Sequence, residues 1–138
     1  MAGDLLYTNM SLKFKGAPKV IRVKPHEAHW NDGEFLIGFA GIAGEMISLM
    51  DFYMNPEAYG GRLPKTRETK GLVLTKRGIF LFDNPSSWMK VDDGFHAIGS
   101  GQTAALGAMH SGASPLDAVK VAAKVDPFTG AGYKSLKL

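Results

Sequence analysis

The stretch "FLIGFAGIAGEMISLM", residues 35–50, changes its hydrophobic period at Gly41, and that change limits the fold more than any other feature of the chain. Before Gly41 the run is apolar and strand-like. It is preceded by a second such run, "VIRV" at 20–23, across a connection that holds Pro25 and the hairpin-type pair Asp32-Gly33. Two antiparallel strands are predicted. After Gly41, residues Ile42, Met46, Leu49, Met50 and Phe52 or Tyr53 recur at three and four positions, which predicts an amphipathic helix ending before Pro56.

The later segments repeat the theme. The polar segment 55–71, with two prolines and a Gly pair, is predicted to be a solvent-exposed loop. "LVLTKRGIFLF", 72–82, reads as a second hairpin turning at 76–78, and "PSSWMKVDDG" leads to a short apolar entry at 95–98. A helix is predicted over 103–109, stopped at Gly112, with Ala104, Ala105, Gly107 and Ala108 allowing close approach to a neighbour. A second helix starts with Ser114 as N-cap, Pro115 at its first position and Asp117 in its first turn. Its expected apolar face is Leu116, Val119, Ala123 and Val125. The predicted order is β-β-α-β-β-α-α, with a weak extended start at 5–14 and a short tail, in one domain spanning 1–138.

Composition removes several function classes. With 45% hydrophobic and 21% charged residues, the chain is an ordinary globular sequence. The absence of cysteine excludes disulfides and thiolate chemistry. The formal charge is only +3, and Lys13, Lys15, Lys19, Arg22 and Lys24 read as the solvated face of a strand pair, so nucleic acid is not an expected partner. The N-terminus has no basic-then-apolar pattern and the longest apolar run carries Glu34 and Glu45 and several glycines, so neither an export signal nor a membrane span is expected, and the expected location is the cytoplasm or a particle assembled in it.

Two tempting motifs fail on physical grounds. Gly99-Ser-Gly101-Gln-Thr-Ala104 fits the G-x-G-x-x-A form of a dinucleotide loop, but the helix after it runs into another helix instead of a strand bearing an acidic residue. Asp117 is explained by capping. "HEAHW" sets His26 and His29 three apart in a predicted loop, whereas a zinc-binding helix needs them four apart. No cofactor, metal or small-molecule substrate is expected.

Most of the chain resembles the proteasome β-subunits and the bacterial HslV peptidase, N-terminal-nucleophile hydrolases with an αββα sandwich. "AGD" at 2–4 followed by Thr8, "KGAPKVIRV", "IGFAGIAGEM", "AIGSG" and "DPFTG" look like five of that family's motifs in their order. The resemblance implies an α+β, four-layer αββα fold, reduced and lacking edge strands. It places Asp4 in the Ala-Gly-Asp segment, Lys19 at the catalytic lysine and Gly41 at an oxyanion-hole N–H. Ser100 falls at the serine near the active centre, and Asp126 and Thr129 at the positions that support the lysine and serine. In such a site an N-terminal threonine hydroxyl attacks, with its own free amine as general base.

That threonine opens the family's first strand, ahead of the Ala-Gly-Asp segment at which this sequence starts. Thr8 follows Tyr7 where the family's processing site has Gly, and the resemblance sets it in a later strand. The expected role is therefore non-catalytic: a subunit of a ring or larger particle, such as a bacteriophage virion, assembling as a homo-oligomer or with other subunits through its sheet edges. The alternative is a threonine-type peptidase completed by processing or by a strand from another chain. On the first reading Asp4 and Lys19 form a partly buried pair and Ser100 bonds local backbone in a tight turn.

Overall fold

The computed structural model describes the backbone of all residues except 5, 10–11, 16–18, 25–32 and 85–86, and the side chains of all except 2–18, 25–32 and 84–87. The chain opens with three short strands, β1 (Ala2–Asp4), β2 (Leu6–Asn9) and β3 (Leu12–Lys15). β2 and β3 form an antiparallel hairpin, and β1 pairs across the molecule with β9 (Tyr133–Ser135). Between them lies a five-stranded antiparallel sheet in sequential order: β4 (Val20–Val23), β5 (Phe35–Ala40), β6 (Lys70–Thr75), β7 (Gly78–Asn84) and β8 (Ser87–Val91).

Strand alternation gives this sheet two different faces. Val23, Phe35, Ile37, Phe39, Val73 and Phe82 point to one side, where α1 (Ala43–Met54) lays Met46, Leu49, Met50, Phe52 and Tyr53 onto them. This is the main core. Aromatic edges knit it, with Tyr53 meeting Phe52 at 5.2 Å and Phe35 at 6.2 Å, both nearly perpendicular. The register Val20↔Gly38↔Leu72 and Leu36↔Leu74↔Ile79 sets those residues on the opposite face.

The 76–78 turn forms as its sequence predicts. Thr75 pairs with Gly78, whose φ of 129° needs glycine, and the Thr75 hydroxyl accepts from the Arg77 N–H at 3.0 Å. The last helices, α2 (Gln102–His110) and α3 (Pro115–Val125), pack on each other through Ala105, Met109, Ala118 and Ala122, a second and smaller core. α3 also lies against β1 and β9. Its start is as expected, with the Ser114 hydroxyl accepting from the Asp117 N–H at 3.2 Å and Pro115 in the first turn.

Six expectations need correction. α3 buries Ala118 and Ala122 rather than the larger face of Leu116, Val119, Ala123 and Val125, and Val125 is 68% exposed. Ala118 and Ala122 are the α3 residues that pack on Ala105 and Met109 of α2. Gly107 faces open space and contributes nothing to that approach. The "PSSWMKVDDG" segment contains a full strand, β8, held by Trp88 stacked on Phe82 at 4.9 Å. The tail holds β9, the extended start expected at 5–14 is three short strands from 2 to 15, and the 55–71 loop begins with a 3-10 turn at Pro56–Tyr59 and ends inside β6.

The two helix assignments separate cleanly by substitution. Leu49→Ala, at a fully buried position, should cost about 2–5 kcal/mol of unfolding free energy in urea titration. Val125→Ser should change it by less than about 0.5 kcal/mol.

Candidate functional site

A cavity of about 810 Å³ lies between the second face of the five-stranded sheet and the α2–α3 pair. Leu72, Leu74 and Ile79 line it from the sheet, and Met109, Ala118 and Ala122 from the helices. Lys19, Gly41, Ser100 and Thr129, four of the residues singled out in the sequence, line the same cavity.

Asp126 follows α3 and gathers the turn before α2. One of its carboxylate oxygens, Oδ2, accepts from the Ser100 hydroxyl at 2.6 Å and from the Thr129 hydroxyl at 2.6 Å. The other, Oδ1, accepts from the Phe128 N–H at 3.2 Å. The 99–101 turn sits hard against this group: a Cβ on Gly101 would lie 2.7 Å from Thr129 Oγ1 and 3.0 Å from the Ala122 methyl. Ser100 thus bonds a distant carboxylate, not local backbone as the structural reading of the sequence expects. Two hydroxyls and one amide make a knot that ties the end of α3 to the start of α2.

Gly41 has a structural need of its own. Its φ is 143°, and a Cβ there would come within 2.6 Å of Thr69 Cα and 2.7 Å of the Glu68 carbonyl oxygen. What presses that segment onto Gly41 is Glu45, in the first turn of α1. Its carboxylate accepts from the Arg67 N–H at 2.9 Å, the Glu68 N–H at 3.3 Å and the hydroxyl of buried Thr69 at 2.7 Å. The Thr69 hydroxyl, then the two amides and the Arg67 charge, hold the Glu45 carboxyl below its ordinary range.

Lys19 extends the β4–β5 pairing, its carbonyl accepting from the Phe39 N–H at 3.1 Å. The backbone of Asp4 belongs to β1, but its side chain lies outside the described residues, so the Asp4–Lys19 pair does too. The same holds for the Thr8 side chain and for the His26/His29 loop. His96 lines the cavity, and His110 meets the Phe95 ring edge-on at 4.8 Å. Among the described residues no group of three His, Asp or Glu stands together, and no helix is long and apolar enough to cross a membrane.

Glu45 and Thr69 escape the sequence reading. A Glu three residues into a helix ordinarily reaches back to its own N-cap. Here it reaches 22 to 24 residues forward, a pairing that only the fold creates.

Solved structures share this fold. The chain superposes on Thiobacillus denitrificans BPH in complex with epoxomicin with a TM-score of 0.70 at 23% identity, covering 98% of this chain and 89% of that one. Eukaryotic HslV from Trypanosoma brucei gives a TM-score of 0.68 at 23% identity, covering 96% and 88%. The fold is of the HslV type. The α+β sandwich expected from the sequence motifs is therefore present. No family model and no curated protein matches the chain.

Two measurements probe the carboxylates that shape this fold. Because the folded Glu45 pKa is depressed, its stabilisation is present above the ordinary value of 4.5 and is lost as pH falls through the folded value. Glu45→Gln should cost about 1 kcal/mol at neutral pH and flatten the acid limb of a thermal-melt profile relative to wild type. For Asp126, a double-mutant cycle of Ser100→Ala and Asp126→Asn should give a coupling of about 1 kcal/mol by urea titration. No coupling would mean the 2.6 Å contact carries no stability.

Proposed function

We propose that this protein is a non-catalytic, proteasome-β/HslV-like subunit of a ring or larger particle, with itself or other subunits as partners. The observation that carries this reading is apolar exposure on both outer helical layers. α1 presents Ile47 at 55% and Met54 at 60%, and α3 presents Val121 at 39% and Val125 at 68%, followed by Phe128 at 51%. On each helix these residues fall on one outward face, and such patches on soluble domains mark surfaces that partners cover. The two cavity hydroxyls fit the same reading, because Ser100 and Thr129 both donate to Asp126 and act as a structural tie. A bacteriophage virion is one particle in which such a subunit would serve.

The second reading, a threonine-type peptidase completed by processing or by a strand from another chain, is favoured by one observation. Lys19, Gly41, Ser100 and Thr129 converge on a single cavity. In that reading Lys19 tunes an incoming amine, Gly41 supplies an oxyanion donor, and Asp126 with Thr129 holds Ser100.

Native mass spectrometry of the purified chain should show a closed oligomer or a defined larger species, and a stable monomer at micromolar concentration would sink the assembly reading. Epoxomicin, held by the Thiobacillus denitrificans structure, is the probe for the other. The non-catalytic reading expects no covalent adduct by intact mass. An adduct together with a new N-terminal threonine or serine would replace it with the peptidase.

A further inference from the structure

We propose that the cavity is a strand-docking site, in which an extended, uninterrupted apolar segment of a partner chain adds to the open edge of β1. The inference rests on the assembly reading only in naming the occupant as another chain. Three independent features of the structure carry it.

The first is a mismatch of layers. Strands lie about 4.8 Å apart, so the five-stranded sheet is about 20 Å wide from first strand to last. The α2–α3 pair, two cylinders about 10 Å across, spans about the same. The layer between them contains β1 and β9, only two strands and about 5 Å from axis to axis. The cavity of about 810 Å³ lies beside this narrow layer, with Met1 on its wall. The space is partly open to solvent, and a concave cleft of this size is the ordinary form of a binding site.

The second is hydrogen-bond parity. Met1 and Leu136 exchange both bonds, N–H to O at 2.8 Å in each direction. Antiparallel ladders alternate, so Gly3 and Lys134 are the next pair that faces inward, and the N–H and C=O of Ala2 and Asp4 turn to the other edge. No strand of described residues lies on that edge. The β1 sequence, Ala-Gly-Asp, has none of the lysine or proline with which natural edges discourage pairing.

The third is the chemistry of the walls. An inserted strand would show alternate side chains to Leu72, Leu74 and Ile79 on one side and to Met109, Ala118 and Ala122 on the other. These six residues are apolar, and the polar lining residues Lys19, His96, Ser100 and Thr129 stand apart from them in the sequence. The matching segment is therefore a continuous Val/Ile/Leu/Thr run of about four to six residues, like a strand buried on both faces. A lipid or a compact organic ligand could fill the volume but could not complete a backbone ladder.

The test uses the full chain, isotope-labelled, and the synthetic peptide acetyl-Lys-Val-Thr-Val-Ile-Val-Lys-amide. Binding should slow hydrogen exchange at the Asp4 amide by about tenfold, leave the Gly3 amide unchanged, and shift the methyl signals of Leu74, Ile79 and Met109. The same peptide N-methylated at alternate residues, which cannot build a ladder, should do none of this. The proposal fails if neither peptide binds, if both bind alike, or if Asp4 stays unprotected. It also fails if Asp4 protection rises with protein concentration alone, because the occupant is then a second copy of this chain. Native mass spectrometry on the same sample reads assembly separately, so an oligomer without strand binding removes this inference and leaves the assembly reading standing.

Discussion

Burial of β5 on both faces is the constraint on which the rest of the structure depends. Phe35, Leu36, Ile37 and Phe39 are all at most 3% exposed, although successive residues of a strand point to opposite sides. A strand of that kind must be covered twice. α1 covers the Phe35, Ile37 and Phe39 side directly, because Gly41 lets the chain turn from β5 into a helix that returns over the same sheet. On the other side the sheet faces Met1 and the α2–α3 pair across the cavity. The four-layer order follows from this division of labour.

Two carboxylates then fasten the pieces that a hydrophobic effect alone would leave loosely placed. Glu45 bolts the entry of β6 to the first turn of α1, and Asp126 bolts the end of α3 to the turn before α2. The bonds described at each come from neutral hydroxyls and amides, where direction counts as much as charge. This suits their position. Exposed ion pairs such as Lys70–Asp83 and Lys120–Asp117 are screened by water and set little geometry. A hydroxyl 2.6 Å from a carboxylate oxygen fixes a distance and an angle together.

What the sequence disclosed was what neighbours in the chain decide. The start of α3 is legible in Ser114, Pro115 and Asp117 because a helix N-terminus is capped within four residues. The β6–β7 hairpin is legible because its turn and both apolar runs lie within 15 consecutive residues. β8 is not, because Trp88 marks a strand only through the Phe82 ring it stacks on, and Pro85 interrupts the apparent run. β9 is three residues whose partners lie at the far end of the chain. The buried face of α3 misleads for a subtler reason. Hydrophobicity favours Leu116, Val119 and Val125, but the residues that pack on α2 are Ala118 and Ala122, and a contact between helices is not written in one helix. Of the candidate site, the motifs around Ser100 and Asp126 hold residues that meet, whereas Glu45 has no signal beyond its place in the first turn.

The walls of the cavity are not loose for want of side chains, and this bears on what the cavity can do. Gly41 and Gly101 both line it, yet each is crowded, Gly41 by Thr69 and Gly101 by Thr129 and Ala122, at 2.6 to 3.0 Å from where a Cβ would stand. Thr69 is held by Glu45, and Thr129 by Asp126. The two carboxylates therefore hold the groups that crowd the two glycines. A site whose backbone is braced in this way loses little conformational freedom when something enters it, which is the physical meaning of preorganisation. The same bracing separates the shape of the cavity from the identity of its occupant. A partner strand and a substrate would find the same rigid walls, and only the open edge of β1, with its Ala2 and Asp4 backbone groups, discriminates in favour of the strand.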